Sequence, residues 1–201
     1  MIRVLIAEDQ GLMRTSLQTL LDLEDDIEVQ AVVGDGTAAL EHLRRDRPDV
    51  ALLDIEMPGM TGLEVLAACT AEQLPCRCLI ITTFTRPGHI RRAMDAGAKG
   101  FFIKDGPISD LVDAIRDVAA GRTAISGELA VAALDTPPNP LTAREIDVLR
   151  TSTDGRTIQQ IADALFLSHS TVRNYLSDAI GKTGTANRTA ARQLAERNGW
   201  L

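Results

Sequence analysis

The sequence predicts two folds in series: a doubly wound, five-stranded parallel sheet of the flavodoxin-like α/β kind, then a small all-α helix-turn-helix domain. Three observations predict this. Short apolar runs alternate five times with helical patterns over residues 1–121. Residues 135–140 then read Asp-Thr-Pro-Pro-Asn-Pro, and three prolines in four positions remove backbone donors and fix φ, so regular structure stops there. Beyond that break only helical patterns follow.

Strands are predicted at 2–7, 28–33, 49–53, 78–82 and 99–103. They are short and rich in β-branched residues, and several are apolar throughout, as in strands covered on both faces. Helices are predicted at about 11–23, 36–46, 62–72, 88–97 and 107–120, with Asp35-Gly36, Pro58-Gly59, Pro87-Gly88 and Gly106-Pro107 at the boundaries. Five βα repeats imply a parallel sheet with helices on both faces. Residues 123–134 are small and apolar, with room for a short helix, and the stretch 122–140 reads as a linker. From 141 onward, Thr142 with Glu145 and Thr157 with Gln160 form capping boxes. Ser168 is the N-cap of a third helix running to about 182, and a fourth covers about 188–198. The tight connection at 165–168 makes a helix-turn-helix.

The 201 residues are 45% hydrophobic, enough for a real core, and carry a net charge of −7. The charge is uneven. Residues 1–121 hold 12 Lys/Arg against 20 Asp/Glu, and residues 122–201 hold 9 against 8, giving −8 and +1. That excludes a uniformly basic nucleic-acid binder and points to different partners for the two halves. Cys69, Cys76 and Cys78 are odd in number and lack metal-ligand spacing, so buried thiols are expected, with neither a disulfide framework nor a zinc site. The absence of a charged-then-apolar leader and of any long apolar run makes the cytoplasm, away from the membrane, the expected location.

The chemistry lies at the strand ends. Glu8 and Asp9 follow the first strand, Asp54 the third and Lys104 the fifth. Each would cost several kcal/mol if left unpaired in a core. In an open parallel sheet these positions share one edge, outside the carboxyl ends of the strands. Three carboxylates there repel one another by about 4 kcal/mol per close pair at an effective dielectric near 20, a cost that a divalent ion and a lysine relieve. The set points to a Mg²⁺ and phosphoryl site. An aspartate can carry a phosphoryl group as an acyl phosphate, and Mg²⁺ prefers oxygen ligands and keeps several waters.

The run Leu53-Asp54-Ile55-Glu56-Met57-Pro58-Gly59-Met60-Thr61-Gly62-Leu63, with Glu8-Asp9, Thr82 and Lys104-Asp105, resembles the receiver domain of a bacterial two-component response regulator. Asn139-Pro140-Leu141-Thr142-Ala143-Arg144-Glu145, then Ile161-Ala162 and Ser170-Thr171-Val172-Arg173-Asn174-Tyr175, resembles the LuxR-type output of the NarL/FixJ branch. Thr82-Thr83-Phe84-Thr85-Arg86-Pro87-Gly88 and the ending Asn198-Gly199-Trp200 resemble, more weakly, the DesR-like regulators of membrane lipid desaturation. The resemblance implies a receiver over 1–121, a linker over 122–140 and a DNA-binding domain over 141–201. It implies that Asp54 accepts a phosphoryl group from a sensor histidine kinase. Asp9 and Asp54 would bind Mg²⁺ directly, Glu8 would sit beside them through water, and the backbone carbonyl of Glu56 would complete the set. Lys104 and Thr82 would meet the phosphoryl oxygens. Thr82 and Phe101 would form the switch, and since Phe101 has no hydroxyl any change there is steric. Further implied partners are double-stranded promoter DNA, a second copy of the chain on phosphorylation, and RNA polymerase.

In the third output helix Val172, Leu176, Ala179 and Ile180 recur at helical spacing and face the bundle. Ser170, Thr171, Arg173, Asn174 and Ser177 lie opposite. Helix-turn-helix proteins read the major groove with the N-terminal part of the second helix. Arg173 suits guanine and Asn174 adenine, while Lys182, Arg188 and Arg192 are placed to hold phosphates. Tyr175 is expected to be a partly buried packing residue. The family often has a second basic residue where Ser177 stands, and its Lys-Leu-Gly is here Lys182-Thr183-Gly184, which implies weaker binding per monomer.

The enzyme reading is an aspartate-nucleophile phosphohydrolase. Such enzymes place a second Asp two residues after the nucleophile. Here that position is Glu56, and the nucleophile follows the third strand instead of the first. The expectation is therefore no enzyme, beyond the chain's own phosphoryl transfer and autodephosphorylation. A DNA binder without phosphorylation control is opposed by the intact Glu8, Asp9, Asp54, Thr82 and Lys104.

Overall fold

A computed structural model describes residues 1–83, 87–135, 137–153 and 155–201; residues 84–86 of the DesR-like motif and residue 136 of the proline-rich stretch lie outside them. The chain divides into two compact units, one made mainly of residues 1–132 and the other mainly of 133–201.

The first unit alternates β1 (Ile2–Ala7), α1 (Gly11–Leu21), β2 (Ile27–Val33), α2 (Gly36–Asp46), β3 (Val50–Asp54), α3 (Gly62–Ala71), β4 (Arg77–Thr82), α4 (Pro87–Asp95), β5 (Gly100–Ile103) and α5 (Ile108–Ala119). All five strands are parallel, in the order β2-β1-β3-β4-β5. The predicted fold class is the observed one. On one face Val4, Ile6, Val50, Leu52, Leu79 and Ile81 pack against Leu17 and Leu21 of α1 and Leu111 and Ile115 of α5. Alternate residues Leu5, Leu53 and Ile80 are also buried, on the opposite face. That is why the central strands are apolar without alternation. The sheet is wound in both directions from β1 and β3, so a crevice opens outside their carboxyl ends.

The end of β3 differs from the predicted boundary by one residue. Asp54 ends the strand instead of following it, and its backbone is in register with Ile81 of β4. A side chain one residue inside the strand is drawn further from water, and Asp54 is 5% exposed.

The predicted linker is structured over much of its length. Ala124 bridges to Gly100 on the outer edge of β5. The N–H of Phe101 donates to Ala124 O at 2.8 Å, and that of Ala124 to Lys99 O at 2.9 Å. Only glycine permits this approach, since a Cβ at Gly100 would stand 2.4 Å from Leu79 Cδ1 and 2.9 Å from Ala124 O. Helix α6 (Gly127–Asp135) follows.

The second unit contains α7 (Ala143–Thr151), α8 (Ile158–Leu165), α9 (His169–Thr183) and α10 (Arg188–Arg197). Both expected capping boxes form, and Ser168 caps α9 by accepting from the Thr171 N–H. The core joins Val148, Leu149, Ile161, Val172, Leu176, Ala191 and Trp200, with Tyr175 and Ile180 partly buried against it. Trp200 Nε1 donates to Pro137 O at 3.3 Å, so the proline-rich stretch is held to the bundle at that residue. Cys69, Cys76 and Cys78 are free and buried. Among the described residues no helix is long and apolar enough to cross a membrane.

Candidate functional site

The strand-end charges converge. Lys104, just past β5, places Nζ 2.6 Å from Glu8 Oε2 and 3.0 Å from Asp54 Oδ1, with its side chain 4% exposed. Glu8 is fully buried and Asp9 is exposed at the mouth. One carboxylate oxygen from each of Glu8, Asp9 and Asp54 lies within 4.8 Å of the others, the one such acidic group among the described residues. Glu8 Oε1 accepts from the Gln10 N–H at 3.1 Å. Glu8 Oε2 has the Lys104 ammonium as its one close polar neighbour among the described residues. Three carboxylates, two of them buried and sharing one ammonium, are a donor set that fits a hard divalent cation.

Burial pushes the Asp54 carboxyl above the ordinary aspartate value; Lys104 opposes the shift, and the neighbouring Glu8 adds to it. The residue is therefore an anion kept where solvent does not stabilise it, with a single ammonium shared between two carboxylates. Such a group favours any partner that brings positive charge.

The loop geometry has local causes. Gly62 opens α3 directly beneath Asp54, where a Cβ would stand 2.1 Å from the Asp54 carbonyl oxygen. Its N–H donates to Ile55 O at 3.0 Å. Thr61 and Glu64 close a capping box at the same point. This Thr-x-x-Glu start is a sequence signal of the same kind as the two in the output domain, and reading 58–62 as turn chemistry alone misses it. Arg14 is a second addition to the predicted site: Nη1 donates to Glu8 O at 2.7 Å and Asp9 O at 3.3 Å, clamping the acidic loop from α1. A long side chain reaching back six residues has no sequence signature.

The other expected site residues fall as follows. Thr82 ends β4 and is buried, and its carbonyl accepts from the Lys104 N–H at 2.9 Å, so the two strand ends are joined. Phe101 is buried in β5, in register with Ile80. Glu56 is exposed, two residues past Asp54.

On α9, Ser170, Arg173, Asn174 and Ser177 are exposed and Thr171 is half-buried. The hydroxyls of Ser170 and Thr171 lie 2.9 and 2.7 Å from Ser168 Oγ, within the N-cap network. Arg173 and Arg188 make no ion pair with any described residue. Two expected phosphate contacts have partners inside the domain. Lys182 Nζ donates to Glu145 Oε1 and Oε2 at 2.8 and 2.9 Å, and Arg192 Nη2 stands 2.7 Å from Glu196 Oε1, one turn along α10.

Residues 4–116 match the family described as response regulator receiver domain, and residues 139–195 the one described as bacterial regulatory proteins, luxR family. The chain is 43% identical to the uncharacterized transcriptional regulatory protein YvfU of Bacillus subtilis (strain 168), and 42% identical to the transcriptional regulatory protein DesR of the same organism. Both alignments span 201 residues and all of both chains. With two relatives at near-equal identity, the likeness to DesR selects the family and not a particular set of genes. Among solved structures, the response regulator ChrA of a heme-sensing two-component system is 35% identical, with a TM-score of 0.59 over 100% of this chain and 98% of that one.

Proposed function

The chain belongs to the response regulators that join a receiver domain to a LuxR-type DNA-binding domain, and from that premise we propose that Asp54 is its phosphoacceptor and that the state of Asp54 controls promoter occupancy. The observation that carries the reading is the position of Lys104 Nζ between the buried carboxylates of Glu8 and Asp54.

A sensor histidine kinase presents a phosphohistidine. An Asp54 carboxylate oxygen attacks phosphorus, the P–N bond breaks, and the departing imidazole takes up a proton; the product is an acyl phosphate on Asp54. Lys104 neutralises the phosphoryl oxygens, and the Thr82 hydroxyl donates to one of them. Glu8, Asp9, Asp54 and the Glu56 carbonyl would hold Mg²⁺, which supplies charge neutralisation at the transferring group. Hydrolysis of the acyl phosphate by water resets Asp54, and this self-directed chemistry is the extent of catalysis.

The phosphoryl group adds about −1.5 to −2 charge in the cleft. Thr82 moves toward it, and Phe101 takes up the room released in β5, a steric coupling with no hydroxyl involved. A second copy of the chain then associates. The paired output domains occupy two half-sites on promoter DNA, where RNA polymerase is the further partner. A promoter-binding role goes with a cytoplasmic location. Arg173 and Asn174 read bases, Ser170, Thr171 and Ser177 line the same face, and Arg188 holds a phosphate. Lys182 acts first as a strut between α9 and α7, and Arg192 first as a partner of Glu196 within α10. The domain limits that go with this reading are 1–121, 122–140 and 141–201.

Intact-mass spectrometry after incubation with a small phosphodonor and Mg²⁺ tests the core of the proposal. Wild-type protein gains one phosphoryl group and Asp54→Asn gains none; equal labelling of the two would remove Asp54 from its role. Turnover of small phosphoesters without a stable adduct would favour the phosphohydrolase instead.

A further inference from the structure

Phe166, in the turn between α8 and α9, combines two unfavourable features. Its backbone is left-handed, with φ 54 and ψ 42, as the C-cap of α8. Its side chain is 95% exposed. Among the described residues only Arg47, Gln73 and Phe166 are non-glycines with positive φ, and Phe166 is the bulky apolar one. Glycine or asparagine enters this conformation at lower cost and is the usual choice at such a helix end. Leu165 and Leu167 on either side are partly buried against the domain core, and the Phe166 ring is not. Folding therefore gives no reason for a phenyl ring here. Strain retained without an internal return points to a role outside the chain.

The location identifies the partner. Phe166 lies two residues before the α9 N-cap Ser168, at the end of α9 that carries Ser170, Arg173 and Asn174. The turn that carries Phe166 leads directly into the end of α9 that the proposed function assigns to the major groove. Duplex DNA offers an apolar surface there in thymine C5-methyl groups and in the deoxyribose rings along the groove edge. We propose that Phe166 contacts DNA, its ring packing on that apolar surface beside the N-terminal part of α9. The inference rests on the reading that α9 is the recognition helix.

An uncharged ring and a cation leave different marks. Loss of a phosphate-binding cation flattens the salt dependence of binding, whereas loss of an apolar contact lowers affinity at every salt concentration alike. Phe166→Gly also relieves the backbone, so a purely structural role and a DNA contact predict opposite readouts.

The full-length protein, phosphorylated with a small phosphodonor, is used to enrich a duplex from a random-sequence pool. Wild type, Phe166→Gly and Arg173→Ala are then titrated against that duplex over a salt series. Phe166→Gly melts at a higher temperature than wild type yet binds about tenfold more weakly, with an unchanged salt slope. Replacing thymine by uracil in the probe distinguishes the two surfaces. A matching loss for wild type and none for Phe166→Gly identifies the methyl group; equal behaviour identifies deoxyribose, and either supports the contact. Wild-type affinity in Phe166→Gly overturns the proposal, including the case in which the ring meets a protein partner. If Arg173→Ala binds like wild type, or if no duplex is enriched, the recognition-helix reading falls and takes this one with it. If Arg173→Ala weakens binding and Phe166→Gly does not, this inference alone falls.

Discussion

Lys182, in the last turn of α9, holds both carboxylate oxygens of Glu145, the residue that caps the first turn of α7. Glu145 is 3% exposed, and this one side chain both closes the helix cap and anchors the end of α9. Lys182→Ala is expected to destabilise the output domain by about 1–2 kcal/mol. The figure is reduced from that of a fully buried pair because the lysine itself is 38% exposed. The salt slope of DNA binding should stay the same, and a flattened slope would show that Lys182 also meets phosphate. Burial alone would raise the Glu145 carboxyl; hydrogen bonds from Lys182 and Thr142 outweigh it and leave the group below the ordinary glutamate value. The pair's contribution is therefore complete above the ordinary value of 4.5 and fades as pH falls through the lower folded-state value. Thermal melts between neutral and acid pH should show a larger loss in wild type than in Lys182→Ala, where only Thr142 still holds the carboxylate.

Asp54 has the opposite sign. Its folded-state pKa lies above the ordinary 3.8, so the charged form weighs against folding at neutral pH, and that penalty lifts as pH falls through the raised value toward 3.8. Asp54→Asn removes the charge, leaves Lys104 to Glu8, and should melt higher than wild type at neutral pH in a chelator. A lower melting temperature would mean that the Asp54–Lys104 pair stabilises more than burial costs.

Mg²⁺ should reverse that order. A cation binding the folded state at a hundred times its dissociation constant adds about 2.7 kcal/mol of stability. Wild-type melting should rise with Mg²⁺ and return on chelation, and Asp9→Asn should lose most of the response. A full response in Asp9→Asn would take the exposed carboxylate out of the ligand set.

Gly62→Ala should be among the most damaging single-methyl changes in the receiver. The new Cβ would meet the Asp54 carbonyl oxygen at 2.1 Å, a backbone atom that cannot step aside without moving the Asp54 carboxylate. Overpacking of this kind costs about 1–3 kcal/mol or more. Denaturant melts report the loss, and phosphodonor labelling should slow further than stability alone explains.

Arg173→Ala should relax sequence preference by about 1–3 kcal/mol at one base pair. Competition between the enriched duplex and variants at each position locates that base. A uniform loss across all variants would reassign Arg173 to the DNA backbone.

The legible parts of this protein are the ones encoded locally. Alternation of apolar runs marks the five strands and their helices. Thr142 with Glu145 and Thr157 with Gln160 announce two helix starts, because a cap is made between residues three apart. Charges next to apolar strands mark Glu8, Asp9, Asp54 and Lys104, since a parallel sheet has one edge on which to put them. The Thr61–Glu64 box carries the same local signal, masked by the proline and glycines around it.

What stays hidden depends on distance along the chain. Lys182 and Glu145 are 37 residues apart, and nothing near Lys182 says whether its ammonium faces phosphate or carboxylate. Ala124 joins the edge of β5 only because Gly100 leaves space for it. Phe166 looks like one more core residue between two leucines until its positive φ turns the ring outward. Residue order is enough to set the succession of elements and the chemical kind of both sites, because periodicity, caps and strand-end charges act between near neighbours. Which cations are left for an outside partner, and which are held within the chain, is a property of the folded molecule. A charge pairs with whatever the fold brings within about 3 Å of it, however far apart the two stand in sequence.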